Sequence, residues 1–273
     1  VEVAVRPQVF DCFTFFNELE LLEVRLEELN PVVDYFVLVE AARTFSNKPK
    51  PLFFKEHRAR FGKFLHKIIP ISLALMPERS STWSLEAFQR DAITLGLTQC
   101  RLDDYVMISD LDEIPRAETV RDLVASSWDS AVLSMPTYYY KLNCKNVAGE
   151  VEQPLTVFTR RRLLATPQQA RATRFDLPSV LNAGWHFSFL GDEREIREKI
   201  DAFSRQELNT PEFTGAEKLS ARVHGARDLF ERPGYRWEFV PLDESFPRFV
   251  RENRERFTHL IEPMAPASLP LDP

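Results

Sequence analysis

The run VFDCFTFFNELELLEVRLEELNPVVDYFVLVE, residues 9–40, decides the fold class. Val9 to Phe16 is a short aromatic and apolar run of strand type. From Glu18 to Leu29, Leu19, Leu22, Leu26 and Leu29 recur at helical spacing, charges fill most of the opposite face, and Asn30-Pro31 stops the helix. Tyr35 to Val39 is a second buried-strand run closing on Glu40. Strand, helix and strand in about thirty residues form a βαβ unit, the building block of a parallel sheet.

Working outward, Lys67 to Leu73 reads as the next strand. Ser84 is the predicted N-cap of a helix carrying Leu85, Phe88, Ala92 and Leu95 on one side, with Gly96 at its C-terminal end. Tyr105 to Ser109 is a buried strand leading into Asp110-Leu111-Asp112-Glu113-Ile114-Pro115. A helix over Glu118 to Ala125 and strands at Ala131 to Met135 and Tyr138 to Leu142 follow. Beyond these, strands are expected at Thr156 to Thr159 and Trp185 to Leu190. Asp192-x-x-Glu195 is a capping box opening a helix with Ile196, Ile200 and Phe203, and Thr214-x-x-Glu217 a further start. The expected class is α/β, a nucleotide-binding half over about 9–115 joined to a mixed half over about 116–262. Residues 263–273 are a proline-rich tail expected to hang loose.

Composition narrows the function classes. Hydrophobic residues are 44% and charged residues 28% of 273, and 22 Phe against 8 Gly fit an aromatic core rather than a low-complexity chain. A net charge of −6 supplies no field for nucleic-acid or membrane-surface binding. Cys12, Cys100 and Cys144 are odd in number and widely spaced, so free thiols are expected rather than a disulfide framework or a zinc site. No apolar stretch approaches the ~20 residues of a membrane span, and the N-terminus carries no signal-peptide pattern. The expectation is a soluble domain, cytoplasmic if bacterial or the lumenal part of an anchored enzyme.

Ligands of open α/β sheets bind outside the carboxyl ends of the strands. Acidic residues fall there three times: Glu18 after the first strand, Glu40 after the second, and Asp110 with Asp112 after the central one. Two carboxylates spaced Asp-x-Asp suit one hard divalent cation, Mg²⁺ or Mn²⁺, which commonly bridges a carboxylate to phosphate oxygens. Such an ion neutralises a departing diphosphate. The bland alternative is a turn carboxylate capping the next helix.

With those residues in view, the chain resembles glycosyltransferase family 17. The resemblance runs through Phe16-Asn17-Glu18, Leu21-Leu22, Arg25 and Leu29, then Val33 to Val37 with Glu40, Thr44 and Lys50-Pro51-Leu52. It continues through Trp83, Arg90, Asp110 to Pro115, Tyr138 to Lys141 and Gly184 to Phe189. It implies a GT-A-like single domain with a Rossmann-like nucleotide-binding half, a UDP-sugar donor (UDP-GlcNAc first), a carbohydrate acceptor, and inversion at the anomeric carbon. Position by position, it implies Asp110 and Asp112 as metal and diphosphate carboxylates, with His186 as third ligand or diphosphate contact. Asn17, Glu18 and Glu40 would line the uridine end, and Arg90 would pair with phosphate or brace the acidic cluster.

Inversion needs a general base; Glu113 ranks first, with Asp176 and Asp192 as further candidates. Tyr138 and Tyr140 point the same way along a strand and offer an aromatic wall for a sugar, with Trp185 beside them; their bland reading is core. Trp83 reads as a packing residue, and the arginines between Arg160 and Arg174 as a solvated face. Two other function classes stay open: a metal-dependent phosphotransferase or hydrolase, for which no Walker-type loop is visible, and a catalytically silent carbohydrate-binding relative.

Overall fold

A computed structural model describes residues 6–77 and 80–264. β1 (Val9–Phe15), α1 (Leu19–Leu29), β2 (Tyr35–Ala41), a short α2 (Phe53–Glu56), β3 (Ile68–Leu73), α3 (Thr82–Asp91) and β4 (Tyr105–Asp110) make up the first half. The second half runs β5 (Glu113–Pro115), α4 (Ala117–Ala125), β6 (Ser130–Tyr139), β7 (Cys144–Ala148), β8 (Glu152–Arg160), α5 (Pro167–Ala172), β9 (Ser179–Val180) and β10 (Gly184–Ser188). It ends with α6 (Glu193–Ala202), α7 (Pro211–Thr214), α8 (Ala216–His224), β11 (Arg236–Phe239) and α9 (Arg248–Glu252). Apart from Pro263 and Met264, the expected tail lies outside the described residues.

β3, β2, β1 and β4 lie side by side and parallel, as the opening run predicts. β8 then pairs antiparallel with β4, and β6 antiparallel with β8, so the sheet becomes mixed where the second half begins. β10 lies between β6 and β5, parallel to the first and antiparallel to the second. β1 is covered on both faces, which is why its sequence is a nearly unbroken apolar run. Val9, Phe13 and Phe15 pack with Leu22, Leu26 and Leu29 of α1; Phe10 and Cys12 pack with Ala92, Ile93 and Leu97 behind α3. Leu21 and Val24 of α1 join Tyr138, Trp185 and Phe187 in another cluster, so one helix ties the two halves together.

Several expected boundaries move for identifiable reasons. Ser81, not Ser84, caps α3: its hydroxyl accepts the Ser84 N–H at 3.1 Å. α3 ends at Asp91 and tightens into a 3₁₀ turn over Ala92–Leu97 that contains Gly96. A Cβ on Gly96 would stand 2.3 Å from a Val37 methyl, so this glycine serves close packing on β2 rather than a C-cap. The two strands expected around Pro136 are one. Pro136 sits opposite Glu152 at the start of β8, just before β6 takes up β10 at Thr137, so its missing N–H falls at the handover. Tyr140, at φ +64, ends the run. Thr214 closes α7, and Gly215 rather than a Thr–Glu box opens α8. The capping box of Asp192 and Glu195 is present as predicted, and all three cysteines are free. No helix among the described residues is long and apolar enough to cross a membrane.

Candidate active site

The parallel strands run in the order β3-β2-β1-β4, so the direction of winding reverses between β1 and β4. That switch point is where an open α/β sheet leaves a crevice at the carboxyl ends of its strands. Asp110, the last residue of β4, stands opposite Thr14 there, whose hydroxyl reaches its Oδ1 at 3.3 Å.

The turn that follows is braced from below by Arg25 of α1, which is fully buried. Its Nη1 donates to the carbonyl oxygens of Asp110, Leu111 and Glu113 at 3.0, 3.1 and 2.8 Å. The rest of the fork holds Asp11 on two oxygens, at 2.8 and 2.6 Å, and Ser109 Oγ at 2.6 Å. Asp11 is buried inside β1, where an unpaired carboxylate would be untenable. Arg25 thus neutralises the strand and satisfies three backbone acceptors of the acidic turn at once.

Asp110 itself is clasped by two guanidinium groups. Arg90 of α3 donates to Oδ1 at 3.0 Å and Arg171 of α5 to Oδ2 at 3.1 Å. Burial opposes the charge, but Arg90 and Arg171 outweigh it and hold the carboxyl well below the usual carboxylate range. Arg171 also pairs with both oxygens of the buried Glu113, at 2.6 and 2.9 Å, while the Asp110 N–H donates to Glu113 Oε2 at 3.0 Å. Glu113 is therefore enclosed and closes the turn on itself.

Asp112 faces the other half of the molecule. Its Oδ2 accepts from Lys199 of α6 at 2.7 Å, and the same ammonium reaches Glu18 Oε1 at 3.1 Å. His186 Nε2 stands 3.9 Å from Asp112 Oδ1, which takes no hydrogen bond among the described residues. Its position follows from the pairing of β10 with β5, where His186 lies opposite Glu113 and the Phe187 N–H donates to the Asp112 carbonyl at 2.9 Å. Gly184 lets the strands meet: a Cβ there would stand 2.2 Å from the Ile114 carbonyl oxygen.

These groups lie on one cleft of 880 Å³, a volume within the range of small-molecule sites. Glu18, Arg90, Asp110, Asp112, Glu113 and His186 line it. The remaining expected site residues stand elsewhere. Glu40 is buried and accepts the Phe54 and Lys55 N–H groups at 3.0 and 3.2 Å, capping α2 instead of facing the cleft. Asn17 is half-buried and its N–H donates to the Glu18 carboxylate at 3.1 Å. Tyr138, Tyr140 and Trp185 are core residues; it is Tyr139 between them that reaches the cleft. Asp176 is exposed on a turn and Asp192 caps α6, both off the cleft lining.

No group of three or more His, Cys, Asp and Glu side chains converges as a metal cage among the described residues. Both oxygens of Asp110 are held by guanidinium groups, which leaves Asp112 Oδ1 and His186 Nε2 as neighbouring donors at 3.9 Å. A carboxylate and an imidazole fit a Mn²⁺ or Mg²⁺ ion that draws its other ligands from water and substrate phosphates.

The model of glycosyltransferase family 17 matches residues 2–262. The chain belongs to glycosyltransferase family 17. Its relatives include the β-1,4-mannosyl-glycoprotein 4-β-N-acetylglucosaminyltransferases of Rattus norvegicus and Homo sapiens. They are 26% and 27% identical over 94% of this chain, and cover 55% and 56% of their own lengths. This family 17 chain thus spans about half the length of the curated relatives it matches. Among solved structures it is similar to the mannosyltransferase PcManGT of Pyrobaculum calidifontis, in complex with GDP-Man and Mn²⁺ (14% identity, 81% of this chain, 71% of that one, TM-score 0.40). It is also similar to S. aureus TarS 1-349 (12%, 80%, 72%, TM-score 0.37).

The sequence reading missed three cationic members of this family 17 site. Arg171 is buried on Asp110 and Glu113, not part of a solvated face. Lys199 follows Ile196 by three residues and precedes Ile200 on α6, so the helix register puts it at the edge of the apolar stripe without showing what it meets. Arg25 had a legible cue, since Asp11 inside a buried strand demands a cationic partner. Trp83, expected to pack, is half-exposed on the cleft lining.

Proposed function

We propose that this chain is a catalytic domain that transfers a sugar, N-acetylglucosamine from UDP-GlcNAc as the first choice, onto a mannosyl-bearing glycan, with inversion. What supports the reading most is the acidic turn at the switch point, fixed by Arg25 and opening onto a cleft with a divided charge pattern. Asp112 and His186 are the protein's ligands for a divalent cation. When bound, that cation supplies Lewis-acid stabilisation of the departing diphosphate.

The chain's own residues do the remainder. Arg90 and Arg171 keep Asp110 ionised and fixed, so the carboxylate row needs no reorganisation as charge develops on the leaving group. Lys199 brings a positive charge from the second half to the diphosphate end of the cleft, bridging Glu18 and Asp112. Phe16, Thr44 and Lys50 line the nucleotide-half wall beside Glu18.

The test is a thermal-shift titration with UDP, UDP-GlcNAc and GDP-mannose, each with and without Mn²⁺, followed by transfer to a β-mannoside. A ligand that binds the folded state raises the melting temperature. Stabilisation by UDP-GlcNAc that needs Mn²⁺ and is lost in Asp112→Ala supports the reading. Transfer that continues undiminished in EDTA overturns its metal component, and phosphate release without sugar transfer favours the hydrolase class.

A further inference from the structure

We infer that Glu150 is the general base that takes the proton of the acceptor hydroxyl, an inference that rests on the transferase reading above. Six carboxylates line the cleft: Glu18, Glu86, Asp110, Asp112, Glu113 and Glu150. Five are paired with cations. Lys199 holds Glu18 and Asp112, Arg90 holds Glu86 and Asp110, and Arg171 holds Asp110 and Glu113. A carboxylate clasped by a buried guanidinium is a poor proton acceptor, because protonating it leaves the cation unpartnered.

Glu150 has no cationic partner among the described residues. Its Oε2 accepts instead from two neutral donors, the Tyr235 hydroxyl and the Gln153 amide, each at 3.1 Å. These orient the carboxylate without neutralising it, and a base held by a third group is the arrangement proton transfer needs. Glu150 stands at the turn between β7 and β8, where Gly149 at φ +79 turns the chain and Asn146 Nδ2 donates to the Glu150 carbonyl at 2.8 Å. It leads into β8, which pairs with β4, the strand that ends in the acidic turn, and it lines the same cleft as that turn.

In the step, the acceptor O–H bond breaks and its proton passes to a Glu150 oxygen. The freed electron pair forms the bond to the anomeric carbon. The bond from that carbon to the diphosphate oxygen breaks, and its electrons leave with UDP. No other reactant is needed.

The experiment compares wild type, Glu150→Gln and Glu150→Ala, using the full chain with UDP-GlcNAc, Mn²⁺ and a p-nitrophenyl β-mannoside. Glu150 is exposed, so the variants keep the fold, as equal melting temperatures and equal UDP-GlcNAc affinity will show. A general base contributes ~10²–10⁴-fold. The expected result is a fall in kcat of at least about 100-fold with acceptor KM little changed, and recovery of Glu150→Ala by added formate. A kcat within about threefold of wild type, or a loss confined to acceptor KM, overturns the assignment while leaving the transferase reading intact. Absence of sugar transfer by wild type would instead sink that reading itself.

Discussion

The ammonium of Lys199 lies 2.7 Å from Oδ2 of Asp112, joining α6 of the second half to the acidic turn at the end of the first. Burial opposes its charge, but Asp112 and Glu18 outweigh burial and raise its ionisation above that of an ordinary lysine. The stabilisation from this raised group is complete below ~10.4, the unfolded value, and fades only as the pH rises from there through the folded value. Stability is thus expected to show no Lys199 step between about pH 6 and 9. Lys199→Met, by contrast, removes a positioned charge and should slow transfer by ~10²-fold, the scale of one preorganised charge-stabilising donor. Steady-state kinetics at saturating donor check this; a loss below about threefold would confine Lys199 to holding the cleft together.

Asp110 titrates in the opposite sense. Its carboxyl is depressed by Arg90 and Arg171 against the pull of burial. The stabilisation from this ion pair is present above ~3.9, its unfolded value, and is lost as the pH falls toward the folded one. Urea midpoints measured from about pH 6 to 3 should fall steeply below about pH 5 in wild type and more gently in Asp110→Asn. Parallel acid limbs would show that Asp110 is not stabilised by its two arginines.

Arg25→Met separates packing from charge, since Met fills much of the same volume. It strands Asp11 as a buried unpaired carboxylate, for which about 3–5 kcal/mol is expected. Adding Asp11→Leu should return much of that loss, because replacing both members of a buried pair is often near neutral. Activity should not return with it: the carbonyls of Asp110, Leu111 and Glu113 would still lack their donor. Denaturant unfolding and kcat on the single and double variants test this split. Joint recovery of stability and activity would reduce Arg25 to a counter-ion of Asp11.

The parallel half was legible because β1, α1 and β2 carry their periods locally: apolar runs for strands buried on both faces, leucines at helical spacing for α1. The acidic turn was legible because it follows an apolar strand directly. Its surroundings were not. Arg171 and Lys199 reach the turn from 61 and 87 residues away, and no local pattern reveals which surface-like cation folds inward. Glu40 shows the reverse limit. A carboxylate at a strand end serves a ligand or caps a neighbouring helix equally well, and only the placement of α2 over β2 decides for the cap. Tyr138 is core because β6 pairs with β10 there, while Tyr140 lies past the end of β6 at φ +64 and packs in a different cluster, so strand alternation orients neither.

Gly184→Ala tests whether the pairing of β10 with β5 sets the site. The added Cβ would meet the Ile114 carbonyl oxygen at 2.2 Å, with Met135 Cε and Pro115 Cα both at 2.9 Å. Two of these three atoms are backbone, so relief requires β10 to move away from β5. Overpacking of this kind costs ~1–3 kcal/mol, which scanning calorimetry should register as a lowered melting temperature. His186 lies two residues along the shifted strand, opposite Glu113 and beside Asp112. The half-saturating Mn²⁺ concentration for transfer should therefore rise, while UDP binding measured without metal changes little. An unchanged melting temperature would mean that β10 yields freely. A lowered one with unchanged Mn²⁺ dependence would detach His186 from the cation and leave Asp112 as its protein ligand.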